Sequence, residues 1–132
     1  MNLIIDIGNT NVKVATFDAE YLVDKEVVKY DNLIQYLETK KFNKGIVSNV
    51  GKMELVEKLM SIYPHLISMS SKLKLPIESS YSTMETIGND RLANAVGAYV
   101  KNPNANSLVI DAGTCLTFDF IDSNNCYLGG AI

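Results

Sequence analysis

The sequence has little of what marks several large functional classes. Lysine and arginine number 12 against 15 aspartates and glutamates, for a net charge of −3. No basic stripe interrupts that balance, so no nucleic-acid footprint is expected. No apolar run approaches the length of a membrane span. Met1-Asn2-Leu3 leads straight into a strand-like run with no charged leader, so no signal peptide is expected. The single histidine, His65, stands beside Pro64 in a connection and reads as a solvated loop residue. The two cysteines, Cys115 and Cys126, lie in apolar strand-like surroundings without metal-ligand spacing. They fit a reducing cytoplasm. With a turn centred on residues 123 and 124, Cys126 falls opposite Ile121 and Cys115 lies about 20 Å further along the strand. That separation is beyond disulfide reach, so two free thiols are expected.

What is present suits a packed α/β protein. At 132 residues and 47% hydrophobic content, the chain can bury a core. Leu3 to Ile5 and Asn11 to Phe17 read as a hairpin, with Val12, Val14 and Thr16 on one face and Lys13, Ala15 and Phe17 on the other. Tyr21 to Val28 reads as a third strand. Asp31 is placed to cap a helix striped by Leu33, Ile34 and Leu37. Gly45 to Val50 reads as a short buried strand. A second helix from Lys52 carries Met53, Val56, Leu59 and Met60 inward and stops at Pro64. The order β-β-β-α-β-α predicts a mixed sheet in an α/β layer. Ser68 to Thr86 reads as a long loop, and its length favours contact with a ligand. Gly88-Asn89-Asp90-Arg91 opens a helix carrying Leu92, Ala95, Val96 and Tyr99 on one face, with Asn89 or Asp90 as N-cap. Arg91 places a cation in the first turn against the helix dipole, which marks it as a functional candidate.

Two turns carry the chemistry. Asp6-Ile7-Gly8-Asn9-Thr10 lies between two alternating apolar runs, and Asp111-Ala112-Gly113-Thr114 opens a second set of strands. Each supplies a carboxylate, a glycine and a hydroxyl. Glycine lets a backbone approach a phosphate closely, and the following N–H groups and hydroxyls can point at its oxygens. An aspartate at the strand end can hold a metal-bound water. Each turn alone could be an ordinary hairpin with Asp, Gly and Asn in their usual places. The pair argues for a duplicated unit with a phosphate-binding hairpin in each half. Ser107 to Asp111, Cys115 to Ile121 and the strand from Cys126 repeat the opening β-β-β. The chain then stops at Gly129-Gly130-Ala131-Ile132, so it is expected to be a fragment with a free strand edge and no covering helices. Such an edge invites self-association through residues 107 to 132.

These residues resemble the type III pantothenate kinases of the actin, hexokinase and Hsp70 superfamily. The matching motifs are Asp6 to Thr10 with Asn11, Val12 and Lys13; Gly88 to Arg91; and Asp111 to Thr114 through Thr117 and Asp119. Tyr81 sits where the family has a substrate tyrosine. The resemblance implies a ribonuclease H-like β-β-β-α-β-α domain over residues 1–105, followed by the truncated start of a second such domain over 106–132. It implies transfer of the ATP γ-phosphoryl to the primary hydroxyl of pantothenate, the first step of coenzyme A synthesis. Asp6, Ile7, Gly8, Asn9, Thr10, Asn11, Val12 and Lys13 would form the first ATP phosphate loop, and Thr114 would contact ATP from the second. Asp90 would be the general base. Tyr81, Gly88, Asn89, Asp90 and Arg91 would contact pantothenate, and the planar fork of Arg91 suits pairing with the carboxylate of that substrate. Asp111 would bind K⁺ or NH₄⁺, and Asp6 would hold Mg²⁺ through water. The resemblance implies a homodimer, and the composition adds the expectation of a cytoplasmic protein with no nucleic-acid or membrane partner. Family chains are considerably longer, and they often have alanine where this chain has Cys115. Rival readings are another kinase (for a sugar or acid) or a phosphatase of the superfamily, or a non-catalytic regulator of the kind labelled a transcription accessory factor.

Overall fold

The computed structural model describes all residues but Gly51, residues 81–83 and Thr114, with Met84 described by its backbone alone. The expectations for Tyr81 and Thr114 therefore lie outside the described residues. Chain contacts divide the molecule into two compact units, Met1–Met69 and Ser70–Ile132. The boundary expected at 105/106 concerns an internal repeat, whereas this division concerns packing.

In the first unit, β1 (Asn2–Ile7), β2 (Val12–Asp18) and β3 (Tyr21–Val28) form an antiparallel meander. β4 (Lys44–Asn49) and β5 (Leu66–Ser68) join it in parallel, giving the order β3-β2-β1-β4-β5. The two helices, α1 (Leu33–Glu38) and α2 (Met53–Ile62), connect the later strands. Alternation along β1 sends Leu3, Ile5 and Ile7 to one face, where they meet Val12, Val14 and Val47. Leu33 and Leu37 of α1 and Val56 and Leu59 of α2 close that face. At ~25 cal/mol per Å² of apolar area, this burial is the main favourable term of the unit.

Local expectations differ in three places. Asp31 is not the cap of α1: it lies in a 3₁₀ turn at Tyr30–Asn32, and Asn32 occupies the N-cap with no side-chain bond. Met53 and Met60 are exposed rather than inward, because two buried positions per turn-pair, Val56 and Leu59, already fill the contact with the sheet. Leu66–Ser68 is a strand, with the Leu66 side chain buried in the core, so Ser68 closes a strand rather than opening a loop.

The second unit contains β6 (Glu78–Ser79), a 3₁₀ turn at Met84–Thr86, α3 (Asn89–Lys101), β7 (Ser107–Ala112), β8 (Leu116–Ile121) and β9 (Cys126–Ala131). The sheet order is β6-β9-β8-β7, with a β7-β8-β9 antiparallel meander and β6 parallel to β9. Ser68 to Thr86 is thus not wholly a loop. β6 covers part of the β9 edge, pairing Glu78 with Cys126 and Ser79 with Tyr127. At the other end of the order, β7 pairs among the described residues with β8 alone. The register also corrects the hairpin: Ile121 pairs with Tyr127, and the turn closes with the Asp122 amide donating to the Cys126 carbonyl at 3.0 Å. Cys115 and Cys126 are both free thiols. α3 lies against β7 and β8, burying Leu92 and Ala95.

Candidate active site

The first hairpin lies at the carboxyl end of β1, where α/β sheets place ligands. The Gly8 amide donates to the Asn11 carbonyl at 3.1 Å, closing the turn. A Cβ on Gly8 would sit 3.3 Å from that same carbonyl oxygen, a tight contact. Asn9, Thr10 and Asn11 are exposed. Ile7 and Val12 point into the core, so only their backbones can serve a ligand. Asp6 faces the other side of the sheet, half-buried, with Lys13 Nζ 3.5 Å from its Oδ2. Ser48 pairs with Asp6 in register, and its hydroxyl oxygen is buried without a partner. The Tyr30 hydroxyl donates to the Gly8 carbonyl. Lys52 Nζ rests 3.4 Å above the centre of the Tyr30 ring.

The second cluster is built on α3. Gly88, not Asn89 or Asp90, is the N-cap of the helix. Its extended backbone turns the chain into the helix, and its carbonyl accepts the Leu92 amide at 3.1 Å. Asp90 is an exposed carboxylate in the first turn, where the dipole favours an anion. Its Oδ1 lies so close over Gly88 that a Cβ there would collide with it. Glycine is thus what lets the carboxylate fold back over the cap.

Arg91 leaves the helix for β8. Its Nε donates to Asp119 Oδ1 at 2.9 Å and its Nη2 to the same oxygen at 2.6 Å. Asp119 is 1% exposed. Its Oδ1 also accepts the Tyr127 hydroxyl at 2.5 Å. One turn along the same helix face, Asn94 Nδ2 donates to Asp111 Oδ2 at 3.1 Å. Thr117, paired with Asp111 in register, has a buried hydroxyl oxygen without a partner. The Gly113 amide donates to the Cys115 carbonyl at 3.1 Å, closing the second hairpin as Gly8 closes the first. Among the described residues no three His, Cys, Asp or Glu side chains gather as a metal cage. A cation at Asp6 or Asp111 would therefore rest on one carboxylate plus hydroxyl, backbone or water oxygens.

The structure thus brings Asp6 and Lys13 together, and links Arg91 and Asp111 to one helix face. It does not pair Arg91 with Asp90: the guanidinium is taken by Asp119. Sequence reasoning assigned no role to Asp119, Tyr127, Asn94, Tyr30 or Lys52. Two of these were within reach. Asn94 stands three residues after Arg91 on the helix, and Asp119 shares the alternation of Thr117 and Ile121 on β8.

The family model of the type III pantothenate kinases matches residues 2–132. The chain belongs to that family. A type III pantothenate kinase of Flavobacterium psychrophilum is 36% identical over 138 aligned residues, covering all of this chain and 57% of the relative. One of Bacteroides fragilis is 40% identical over 139 residues, covering 56% of the relative. One of Christiangramia forsetii is 37% identical over 138 residues, covering 57%. The chain therefore spans a little over half the length of the curated relatives it matches.

Proposed function

We propose that the protein is an ATP-dependent pantothenate kinase acting in coenzyme A biosynthesis. The observation that carries this reading is the Gly88–Arg91 turn, where a carboxylate folds over a glycine cap beside an arginine locked to a buried aspartate. Within a family of this name, that turn offers a base and a fixed cation on adjacent residues. The primary hydroxyl of pantothenate attacks the γ-phosphorus, a new O–P bond forms, the bond to the β,γ-bridging oxygen breaks, and ADP leaves. Asp90 accepts the hydroxyl proton. Backbone N–H groups of the Gly8–Asn11 hairpin, with Thr114 of the second, bind phosphate oxygens. Asp6 would hold Mg²⁺ through water, and the ion when bound offsets charge on the phosphates. Asp111 would hold K⁺ or NH₄⁺. Tyr81, Asn89 and Arg91 orient pantothenate, and the Asp119–Tyr127 support fixes the plane in which Arg91 meets a carboxylate.

The fold reading extends the same proposal. Residues 1–105 would form a ribonuclease H-like domain with its substrate helix, and 106–132 the opening strands of a second, in the manner of the actin, hexokinase and Hsp70 superfamily. The repeated hairpin supports this, as does the bare Leu108, Ile110 and Phe118 face of the second meander. A cytoplasmic homodimer with no nucleic-acid or membrane partner completes the reading. Among the described residues no helix is long and apolar enough to cross a membrane.

The test is Asp90→Asn in a chain of the relatives' length, assayed with ATP and pantothenate. Gly88 caps the helix, so the substitution leaves the cap untouched. We expect an unchanged melting temperature and a kcat lower by roughly 10²–10⁴-fold. Arg91→Lys should raise the KM for pantothenate more than it lowers kcat. Lysine is the better probe than alanine, because alanine would leave Asp119 buried without its cation. Near-full kcat in a folded Asp90→Asn protein would remove Asp90 from the role of base.

A further inference from the structure

The first hairpin rests on two residues that no motif singles out. Tyr30 is half-buried in the 3₁₀ turn between β3 and α1, and its hydroxyl donates to the Gly8 carbonyl. The Gly8 amide is meanwhile held by the Asn11 carbonyl at 3.1 Å. In a trans peptide the C=O and the following N–H point in opposite directions. Anchoring the Gly8 carbonyl to Tyr30 therefore aims the Asn9 N–H away from Tyr30. That is the orientation an anion-binding amide needs.

Lys52 adds charge at the same place. Its backbone amide is fixed by Asn49 Oδ1 at 2.9 Å, at the carboxyl end of β4, which runs parallel beside β1. Its ammonium lies 3.4 Å above the Tyr30 ring centre, and the residue is exposed. Lys13, the other cation at this hairpin, stands 3.5 Å from the Asp6 carboxylate, which cancels much of its charge at a distance. Lys52 rests on an uncharged ring, and among the described residues no carboxylate forms an ion pair with it. A cation on an exposed aromatic face is held weakly compared with one on a phosphate.

We propose that Tyr30 and Lys52 act as a unit beneath the first phosphate hairpin. Tyr30 is a positioning residue that presents the hairpin amides, and Lys52 is a cation that moves from the Tyr30 ring to the polyphosphate of the bound nucleotide. This rests on the kinase reading, which assigns phosphate to that hairpin.

The test is titration of the wild type, Tyr30→Phe, Lys52→Gln and Lys52→Arg with inorganic tripolyphosphate and with ATP. Amide NMR shifts of Gly8, Asn9, Thr10 and Asn11 report binding, and thermal melts report folding. In the wild type both probes should shift these amides saturably. Tyr30→Phe and Lys52→Gln should each weaken binding roughly tenfold, as expected for losing a hydrogen bond or contact involving a charged group. Lys52→Arg should stay within about twofold, because arginine keeps the charge and stacks on the ring. Equal affinities in wild type and folded variants would overturn this proposal and leave the kinase reading standing. Hairpin amides unmoved by either probe in the wild type would overturn the phosphate role of the hairpin, and this proposal with it.

Discussion

Ile5-Asp6-Ile7-Gly8 and Ile110-Asp111-Ala112-Gly113 hold the same place in two three-stranded meanders, yet their isoleucines meet opposite fates. Ile5 is fully buried and Ile110 is 57% exposed. The reason is which face each unit covers. In the first, α1 and α2 pack on the face away from the aspartate, and Asp6 looks out with Lys13. In the second, α3 packs on the aspartate face, where Asn94 and Arg91 bond Asp111 and Asp119. A repeated hairpin therefore fixes backbone and carboxylate position but not environment. The helix that follows or precedes the meander decides whether its carboxylates are solvated or locked.

The contrast predicts its largest effect at the locked carboxylate. Asp119→Ala removes the carboxylate to which both the mostly buried Arg91 guanidinium and the Tyr127 hydroxyl donate. Breaking a buried pair by removing one partner costs about 3–5 kcal/mol. Asp6→Ala, which removes a carboxylate from a pair with 63% and 39% exposed side chains, should cost under about 1 kcal/mol. Urea denaturation of both variants measures the two. Equal losses would show that the second cluster is no more locked than the first.

The isoleucines sharpen the same comparison. Ile5→Ala opens a cavity in the core and should cost about 2–5 kcal/mol. Ile110→Ala, at the matching motif position, should stay within about 0.5 kcal/mol. A large loss at Ile110 would mean that the outer face of the second meander is covered in solution. Leu108, Leu116, Phe118 and Leu128 share that exposure.

Much of the first unit was legible because its signals are local. Alternation gave Val12, Val14 and Thr16 their common face, and the β-β-β-α-β-α order appears as read. The stop at Pro64 also holds, with α2 ending at Ile62. What was illegible depends on partners distant in sequence. Leu66–Ser68 is too short to show alternation and is a strand only because β4 pairs with it. Arg91 stood out for opposing the helix dipole, but its partner is 28 residues away, on a strand whose face no periodicity of α3 could assign. The one-residue difference in the β8-β9 register arises in the turn, where Asn125 takes a positive φ of 66°, and a bulge between Phe120 and Ile121, beside Gly129 with its φ of 100°, shifts the pairing once more. Gly130 is required for a different reason: a Cβ there would meet the Phe118 carbonyl and come within 2.8 Å of Arg91 Nη2. A pair of glycines near a chain end reads as flexibility, whereas here one bends the strand and the other makes room for a guanidinium.

The smallest expected effect belongs to an ion pair of the first unit that is neither core nor site. Lys40 Nζ lies 2.5 Å from Asp24 Oδ2, tying the segment after α1 to β3, and the Tyr36 hydroxyl donates to the same oxygen at 3.2 Å. The lysine hydrogen bond holds the Asp24 carboxyl below its ordinary value, partly opposed by desolvation and aided by Tyr36. The same contact raises Lys40. A depressed carboxyl stabilises the fold above its unfolded pKa of about 3.9, and that contribution is lost as pH falls through the lower folded value. A raised lysine stabilises below about pH 10.4 and is lost as pH rises through the higher folded value. Asp24→Asn should therefore lower the melting temperature slightly at pH 7 and not at all below the folded value of Asp24. It should also flatten the alkaline limb associated with Lys40. Because both side chains are partly solvated, added salt should shrink the difference between variant and wild type. The buried Arg91–Asp119 pair, by contrast, should show little response to salt. If salt weakened both pairs equally, the distinction between a solvated first unit and a locked second cluster would fail at its electrostatic end.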